Sequence, residues 1–336
     1  MTVRVAVDVH GADRGPAEVA AGAASAATPQ LEPVLYGPHG VDAHGLPLVE
    51  TEDAIELDEP PVDAVRAKPG SSLVRAVRAV ADGEAQAVVS AGSTGAMLAA
   101  SLLHLRRLPG VLRPAIAVVI PARRGPTVLI DAGANADARP EHLLQFGHMG
   151  AVFAEEIIGV AEPEVRLLSI GEEDEKGNQL TLDAHALLRA SALRFTGNTE
   201  SRWLLEGEGD VVVTDGFTGN VALKALEGTI RSVLGSFRDE VGSSLLGKVG
   251  GLLVRPGARR LRARLDPETY GGAYLLGLRG LVVIAHGSSS RVAIGNAVRL
   301  AALGVEHRVV DRLEERLSAG VLSTEAGRRA AETPSS

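Results

Sequence analysis

Short apolar runs recur along this chain, and each gives way to a cluster of Gly, Ser, Thr, Asp or Asn before a longer helical pattern begins. That alternation predicts βα units around a largely parallel sheet. The runs fall at 5–8, 87–89, 128–130, 165–170, 211–213 and 281–285. Polar turns follow at Gly11 and at 90–95, 131–135, 171–173, 214–220 and 286–289. β-Branched runs such as Val211, Val212 and Val213 fit parallel strands covered on both faces, and such sheets bind ligands outside the carboxyl ends of their strands. Helical periodicity predicts helices at 95–106, 140–159, 180–189, 218–237 and 289–303. No repeat or low-complexity linker divides the chain, so residues 1–325 read as one α/β domain and 326–336 as a disordered tail.

One segment breaks the alternation. At 245–265 an apolar stretch turns strongly basic, and Pro256-Gly257 is expected to split it into two short helical pieces, because the residue before a proline disfavours helix. The result would be a helical protrusion at about 238–268. It reads either as a dimer contact or as a basic amphipathic surface for anionic lipid or an acidic protein.

Composition narrows the function classes. With 336 residues the chain can bury a large core, and with 3% aromatics that core is built from Ala, Val, Leu and Ile. A net charge of −8 argues against a nucleic-acid protein. There is no cysteine, which excludes disulfides, thiolate metal sites and a cysteine nucleophile and is compatible with a reducing cytoplasm. The chain opens on a strand-like run without a signal-peptide pattern, and no apolar run approaches the roughly 20 residues of a spanning helix, so a soluble or membrane-peripheral protein is expected.

Candidate chemistry gathers at the strand ends. Asp215, Thr218, Gly219 and Asn220 follow a buried-strand signature and open a helix, whose free N–H groups and dipole favour an anion. Lys224, close to one turn beyond Asn220, can place an ammonium on the same face, and phosphate is the natural guest. Ser93 and Thr94 sit in a turn that reads as simple capping or as close backbone approach to a ligand; its recurrence beside Asn135 and Thr218 favours the ligand. Four acids precede Lys176; they read as a solvated loop, since a metal site needs converging oxygens, while Lys176 beside Gly177 can reach into the crevice. His286, Ser288 and Ser289 allow a Ser–His pair only if they meet in space, and otherwise read as helix caps that receive an anion. Residues 242–249 have P-loop spacing but end in Val249, which lacks the hydroxyl for Mg²⁺, and no Gly-x-Gly-x-x-Gly follows a strand-like run.

At these residues the chain resembles the acyl-carrier-protein:phosphate acyltransferases of bacterial phospholipid synthesis, the PlsX family. The resemblance runs from Asp8 to about Ala301 and rests on ordered blocks: 8–16, 91–96, Arg113-Pro114-Ala115, 131–135, 170–178, 215–220, Asp266-Pro267 with 270–273, and 285–289. The family's first block usually reads Asp-Ala-Met-Gly-Gly-Asp, whereas His10 and Ala12 stand here, and Ser93 stands where asparagine is usual. The resemblance implies a Rossmann-like three-layer α/β/α fold akin to phosphotransacetylases and isocitrate dehydrogenase-like enzymes. It also implies a cytoplasmic homodimer held peripherally at the membrane beside the downstream membrane acyltransferase, and no cofactor.

The reaction so implied moves an acyl group from the thioester of acyl carrier protein to inorganic phosphate. Phosphate is already nucleophilic at neutral pH, so the enzyme need only orient it and stabilise a tetrahedral oxyanion. On this expectation Lys176 carries charge for phosphate or oxyanion, Asn220 bonds the reacting carbonyl, and Lys224 and His286 support them. Asp8, Ser93, Thr94, Asn135, Asp215, Thr218, Gly219, Ser288 and Ser289 line the substrate site. Leu252, Leu253 and Val254 with Arg255, Arg259, Arg260, Arg262 and Arg264 are candidates for membrane or carrier-protein docking. A coenzyme A-dependent phosphotransacetylase, a nicotinamide-dependent decarboxylating dehydrogenase and a non-catalytic membrane scaffold are the alternatives.

Overall fold

Every apolar run read above becomes a strand in the computed structural model, which describes residues 2–265 and 267–318. The expected tail at 326–336 lies outside the described residues, as does Asp266. The chain begins β1 (Val3–Asp8), α1 (Pro16–Ala26), β2 (Leu31–Gly37), β3 (Leu48–Glu50), α2 (Pro61–Ala67), α3 (Ser72–Ala81), β4 (Ala87–Ser90) and α4 (Thr94–His104). It continues β5 (Ala115–Pro121), β6 (Pro126–Ile130), α5 (Pro140–Phe153), β7 (Val165–Ser169), α6 (Gln179–Arg189), β8 (Phe195–Glu200) and β9 (Val211–Val213). Then come α7 (Gly216–Gly242), α8 (Leu245–Leu265), β10 (Ala273–Leu276), β11 (Leu281–Ile284) and α9 (Arg291–Glu306), with further helical residues at 309–318.

The strands form one sheet in the order β3-β2-β1-β4-β11-β10-β5-β6-β9-β7-β8. β1 to β4 run parallel with β11, and β6, β9, β7 and β8 run parallel with one another. Between the groups, β10 is antiparallel to both β11 and β5, and β5 is antiparallel to β6. The two groups therefore run in opposite directions. Their stagger along β10 and β5 aligns Val283, Tyr274, Ala117, Ile130 and Val213 in one row. β11, β4, β6 and β9 end at or one residue beyond that row, so the polar turns after them face each other across the middle of the sheet.

Helices cover both faces, completing three layers. One face packs α1, α5, α6 and α9 on the sheet; the other packs α2, α3, α4 and the start of α7. β9 illustrates the alternation of a covered strand. Val211 and Val213 meet α5 at Gly150 and Gly147, while Val212 packs with Leu204 and the Ala222 side of α7.

Two helices differ from expectation. The segment expected as one helix over 140–159 is α-helical only to Phe153; Ala154–Ile158 widen into a π turn that Gly159 ends at φ 81°. The expected break at Pro256 is absent. α8 is a single helix with Pro256 inside it, because a proline costs a helix one N–H bond and bends it without obliging a solvent-exposed helix to stop. α8 folds back on α7, with Gly251 facing Val241.

Candidate active site

The turn after β6 is built around Asp131, which is fully buried. Its Oδ1 accepts the N–H groups of Ile116 (2.9 Å), Gly133 (3.1 Å) and Ala134 (2.9 Å). Its Oδ2 accepts the N–H of Asn135 (2.8 Å) and the Asn135 amide (2.7 Å). Burial pushes the Asp131 carboxyl above the usual carboxylate range, with the Ala134 and Ile116 N–H groups opposing that rise. Asn135 also donates to Pro114 O (2.8 Å) and accepts Gly216 N–H (2.8 Å) on its carbonyl, which ties the turns after β6 and β9 together. The Asn135 amide donors, expected to face substrate, are thus spent on the scaffold. What the turn presents outward is Gly133, against which Asn220 packs: a Cβ there would lie 3.7 Å from the Asn220 Cβ, Cγ and Oδ1.

The start of α7 differs from the expected anion cradle. Asp215 caps the helix by accepting Thr218 N–H (2.9 Å), its carbonyl accepts Gly219 N–H, and Gly216 N–H is held by Asn135. The N–H groups of Thr218 and Gly219 and one carboxylate oxygen of Asp215 are therefore not available to a ligand. Asn220, exposed and without a hydrogen-bond partner among the described residues, and Lys224 remain on the outward side. At α9 the cap is Ser290, one residue beyond the serines expected, and Arg291 N–H goes to Glu18 (2.9 Å).

α4 keeps the first N–H groups of its N-terminus open. Ser93 caps it by accepting Ala96 N–H (3.3 Å), and no described residue accepts from the N–H groups of Thr94 or Gly95. Gly95 is required there, since a Cβ would come within 2.8 Å of Pro61. Beneath this turn, Asp8 is turned inward and away from any ligand. It accepts the hydroxyls of Ser72 (2.6 Å) and Ser90 (2.7 Å) and the His10 N–H (3.1 Å). Burial pushes its carboxyl up to about 6, against the pull of these hydrogen bonds.

A buried acid with a raised pKa binds its proton more tightly folded than unfolded, so it contributes less to stability as pH rises from about 4 through about 6. Relative to Asp8→Asn, the wild type should lose up to about 3 kcal/mol over that interval. Urea midpoints of both proteins at each pH measure it, and a pH-independent difference would contradict the assignment.

Because β4 and β11 are neighbours, the open end of α4 lies beside the turn after β11. There His286 Nδ1 accepts Ser288 N–H (3.2 Å) and sits 2.8 Å from Ser288 Oγ. A neutral imidazole accepting at Nδ1 carries its proton on Nε2. His286 Nε2 is 3.5 Å from Lys224 Nζ, which also pairs with Glu227 (3.0 Å). Two donors thus meet in one gap, an arrangement complementary to an anionic oxygen. The buried Ser289 donates its N–H to His286 O (2.9 Å) and supports this turn.

Lys176 lies on the loop after β7, two strands from β6 on the same side of the sheet. It is exposed, and its ammonium has no partner among the described residues. Two of the four acids before it are engaged locally: Glu172 accepts the Trp203 indole (2.8 Å) and Asp174 pairs with Arg189 (2.7 Å). Leu252, Leu253, Val254, Arg255, Arg259, Arg260, Arg262 and Arg264 are all exposed along α8, far in sequence from these turns. No described helix is long and apolar enough to cross a membrane. Asp131 was legible as a strand-end residue but its role as a five-donor hub was not. Nor was Ser72, whose sequence carries no sign of the bond to Asp8.

Known proteins are similar to this chain in sequence and in fold. The family model described as fatty acid synthesis protein matches residues 3–312. A phosphate acyltransferase from Heliobacterium modesticaldum is 43% identical over 94% of this chain and 98% of its own length. Another from Thermobifida fusca is 46% identical over 95% of this chain and 92% of its own. Among solved structures, a phosphotransacetylase from Streptococcus pyogenes aligns with a TM-score of 0.60 at 17% identity, covering 91% of this chain and 94% of that one, which carries the fold alone. The chain therefore belongs to the fatty acid synthesis protein family, the family of these phosphate acyltransferases, and is itself an acyltransferase.

Proposed function

We propose that this enzyme transfers an acyl group from the thioester of acyl carrier protein to inorganic phosphate. The observation that carries the reading is the gap where Lys224 Nζ and His286 Nε2 come within 3.5 Å beside the open N-terminus of α4. Phosphate oxygens there meet an ammonium, an imidazole N–H and the N–H groups of Thr94 and Gly95, donors suited to an anion. Such a site orients the nucleophile and neutralises its charge. A phosphate oxygen attacks the thioester carbonyl; the tetrahedral oxyanion collapses, the C–S bond breaks and the carrier thiolate leaves with the proton that phosphate gives up. Asn220 donates to the carbonyl oxygen as charge develops, and the unpaired ammonium of Lys176 adds its charge to that stabilisation. No acyl-enzyme is needed, in keeping with a chain that has no cysteine.

The decisive experiment follows loss of an acyl-carrier-protein thioester with and without phosphate, beside the same acyl group on coenzyme A. Phosphate-dependent consumption favouring the carrier protein supports the reading. Preference for coenzyme A would make the chain a phosphotransacetylase, and phosphate-independent loss would remove phosphate as the acceptor.

On the same reading the enzyme works as a cytoplasmic homodimer resting on the membrane through α8, which hands acyl phosphate to a membrane acyltransferase. Exposed Leu252, Leu253 and Val254 followed by Arg255, Arg259, Arg260 and Arg262 support this, since peripheral binding scales with apolar area and attraction to lipid charge. Replacing the three apolar residues with Ser should release the protein from anionic vesicles at unchanged soluble turnover. Replacing Arg259, Arg260 and Arg262 with Gln then separates the partners by sedimentation and kinetics. Weaker vesicle binding assigns them to lipid, a raised KM for carrier protein assigns them to docking, and no change in either removes α8 from both roles.

A further inference from the structure

A cavity of about 740 Å³ opens beside the Asn135 turn, within the size range of sites for small organic ligands. Its wall is made by the segment before β5 and the segment before α5, which the Asn135 amide ties together through Pro114 O (2.8 Å). The cavity therefore shares its wall with the turn that carries Gly133 against Asn220. Three guanidiniums line it. Arg107 is engaged with the carbonyls of Val111 and Leu112 and shapes the rim. The guanidiniums of Arg113 and Arg139 have no hydrogen-bond or ion-pair partner among the described residues. Asp137 is the one carboxylate in the lining, so the cavity is locally cationic on a chain whose net charge is −8.

His142 adds a donor. Its Nδ1 accepts Arg139 N–H (3.1 Å), which leaves the ring proton on Nε2. Burial lowers its pKa, and Arg113 and Arg139 lower it further, so the ring stays a neutral donor. The rest of the lining is apolar and includes Leu102, Leu112 and Pro114. Free guanidiniums next to an apolar wall match a ligand with a phosphate ester on a partly apolar body; inorganic phosphate is far too small to fill such a volume.

We propose that this cavity holds the phosphopantetheine arm of the acyl donor, with Arg113 and Arg139 on its phosphodiester and Leu102, Leu112 and Pro114 along its apolar part. This rests on the acyl-transfer reading above. Binding the arm there anchors the thioester end beside Asn220 while the acidic body of the carrier protein stays outside.

The test uses the full chain and its Arg113→Gln, Arg139→Gln double variant, whose changes lie at exposed positions. Three donors carry the same acyl group: acyl carrier protein, acyl-phosphopantetheine and acyl-pantetheine, which lacks the phosphate. The variant should raise KM roughly 10- to 100-fold for the first two, as expected when charge-assisted bonds to a phosphate are lost. KM for acyl-pantetheine and for inorganic phosphate should stay unchanged. A rise confined to acyl carrier protein would overturn the proposal and assign the arginines to the protein body. So would an equal rise for acyl-pantetheine, a rise for inorganic phosphate, or no change. If the wild type transfers no acyl group from any donor, the acyl-transfer reading fails by itself. Calorimetry then judges the cavity: phosphopantetheine binding that exceeds pantetheine binding and is lost in the variant supports it, and equal binding of the two overturns it.

Discussion

Replacing Lys176 with alanine lowers kcat by about 100-fold or more if the ammonium meets the developing oxyanion, the loss that follows removal of one preorganised donor. Its surroundings make this a clean measurement. The side chain is exposed and its ammonium bonds to no described residue, so the substitution should leave the denaturation midpoint in place. The loop itself is held by the main chain, with Ser169 Oγ donating to Lys176 O (3.0 Å) and Asn198 donating to Glu173 O (2.8 Å). Lys176→Arg keeps charge but spreads it over a planar fork, so it should recover only part of the rate. Turnover at saturating phosphate and donor is the measurement. A Lys176→Ala enzyme within a few-fold of wild type would leave the charge at this site to Lys224 alone.

The strand ends were legible because each apolar run stops at a polar turn, a pattern fixed locally by burial. What the turns face was not. β5 and β10 were not among the apolar runs read, yet they are the antiparallel pair that turns two oppositely directed groups toward one row, and strand direction is set by long-range pairing. The anion cradle expected at Thr218 and Gly219 failed for a related reason. Asp215 three residues before Thr218 is a readable capping signal, but Asn135 O taking the Gly216 N–H joins turns 81 residues apart. Lys224 and His286, 62 residues apart, were readable as candidates and not as a pair. At Pro256 a local preference was overread, since an exposed helix can continue through a proline.

Asp131→Ala should be the most destabilising change among the residues around the site, by about 5 kcal/mol or enough to prevent folding. Five donors lose their acceptor at once: the N–H groups of Ile116, Gly133, Ala134 and Asn135 and the Asn135 amide. A buried donor left unpaired costs about 1–3 kcal/mol, and whole domains have about 5–15 kcal/mol to lose. An opposing effect exists, because burial raises the Asp131 pKa and removing the carboxyl also removes its desolvation cost. The donors outweigh it, since the small alanine side chain leaves them facing a void too closed for bulk water to replace every bond. Asp131→Asn keeps one acceptor oxygen but turns an amide N–H₂ toward either the Asn135 donors or the Ile116, Gly133 and Ala134 donors, so it should fall between wild type and Asp131→Ala. Urea denaturation of the three proteins checks the order. Function should follow it, because this turn sets Gly133 against Asn220 and holds Gly216 at the start of α7. A Asp131→Ala protein within about 1 kcal/mol of wild type would mean that the turn is held by the Asn135 bonds to Pro114 and Gly216, with Asp131 dispensable.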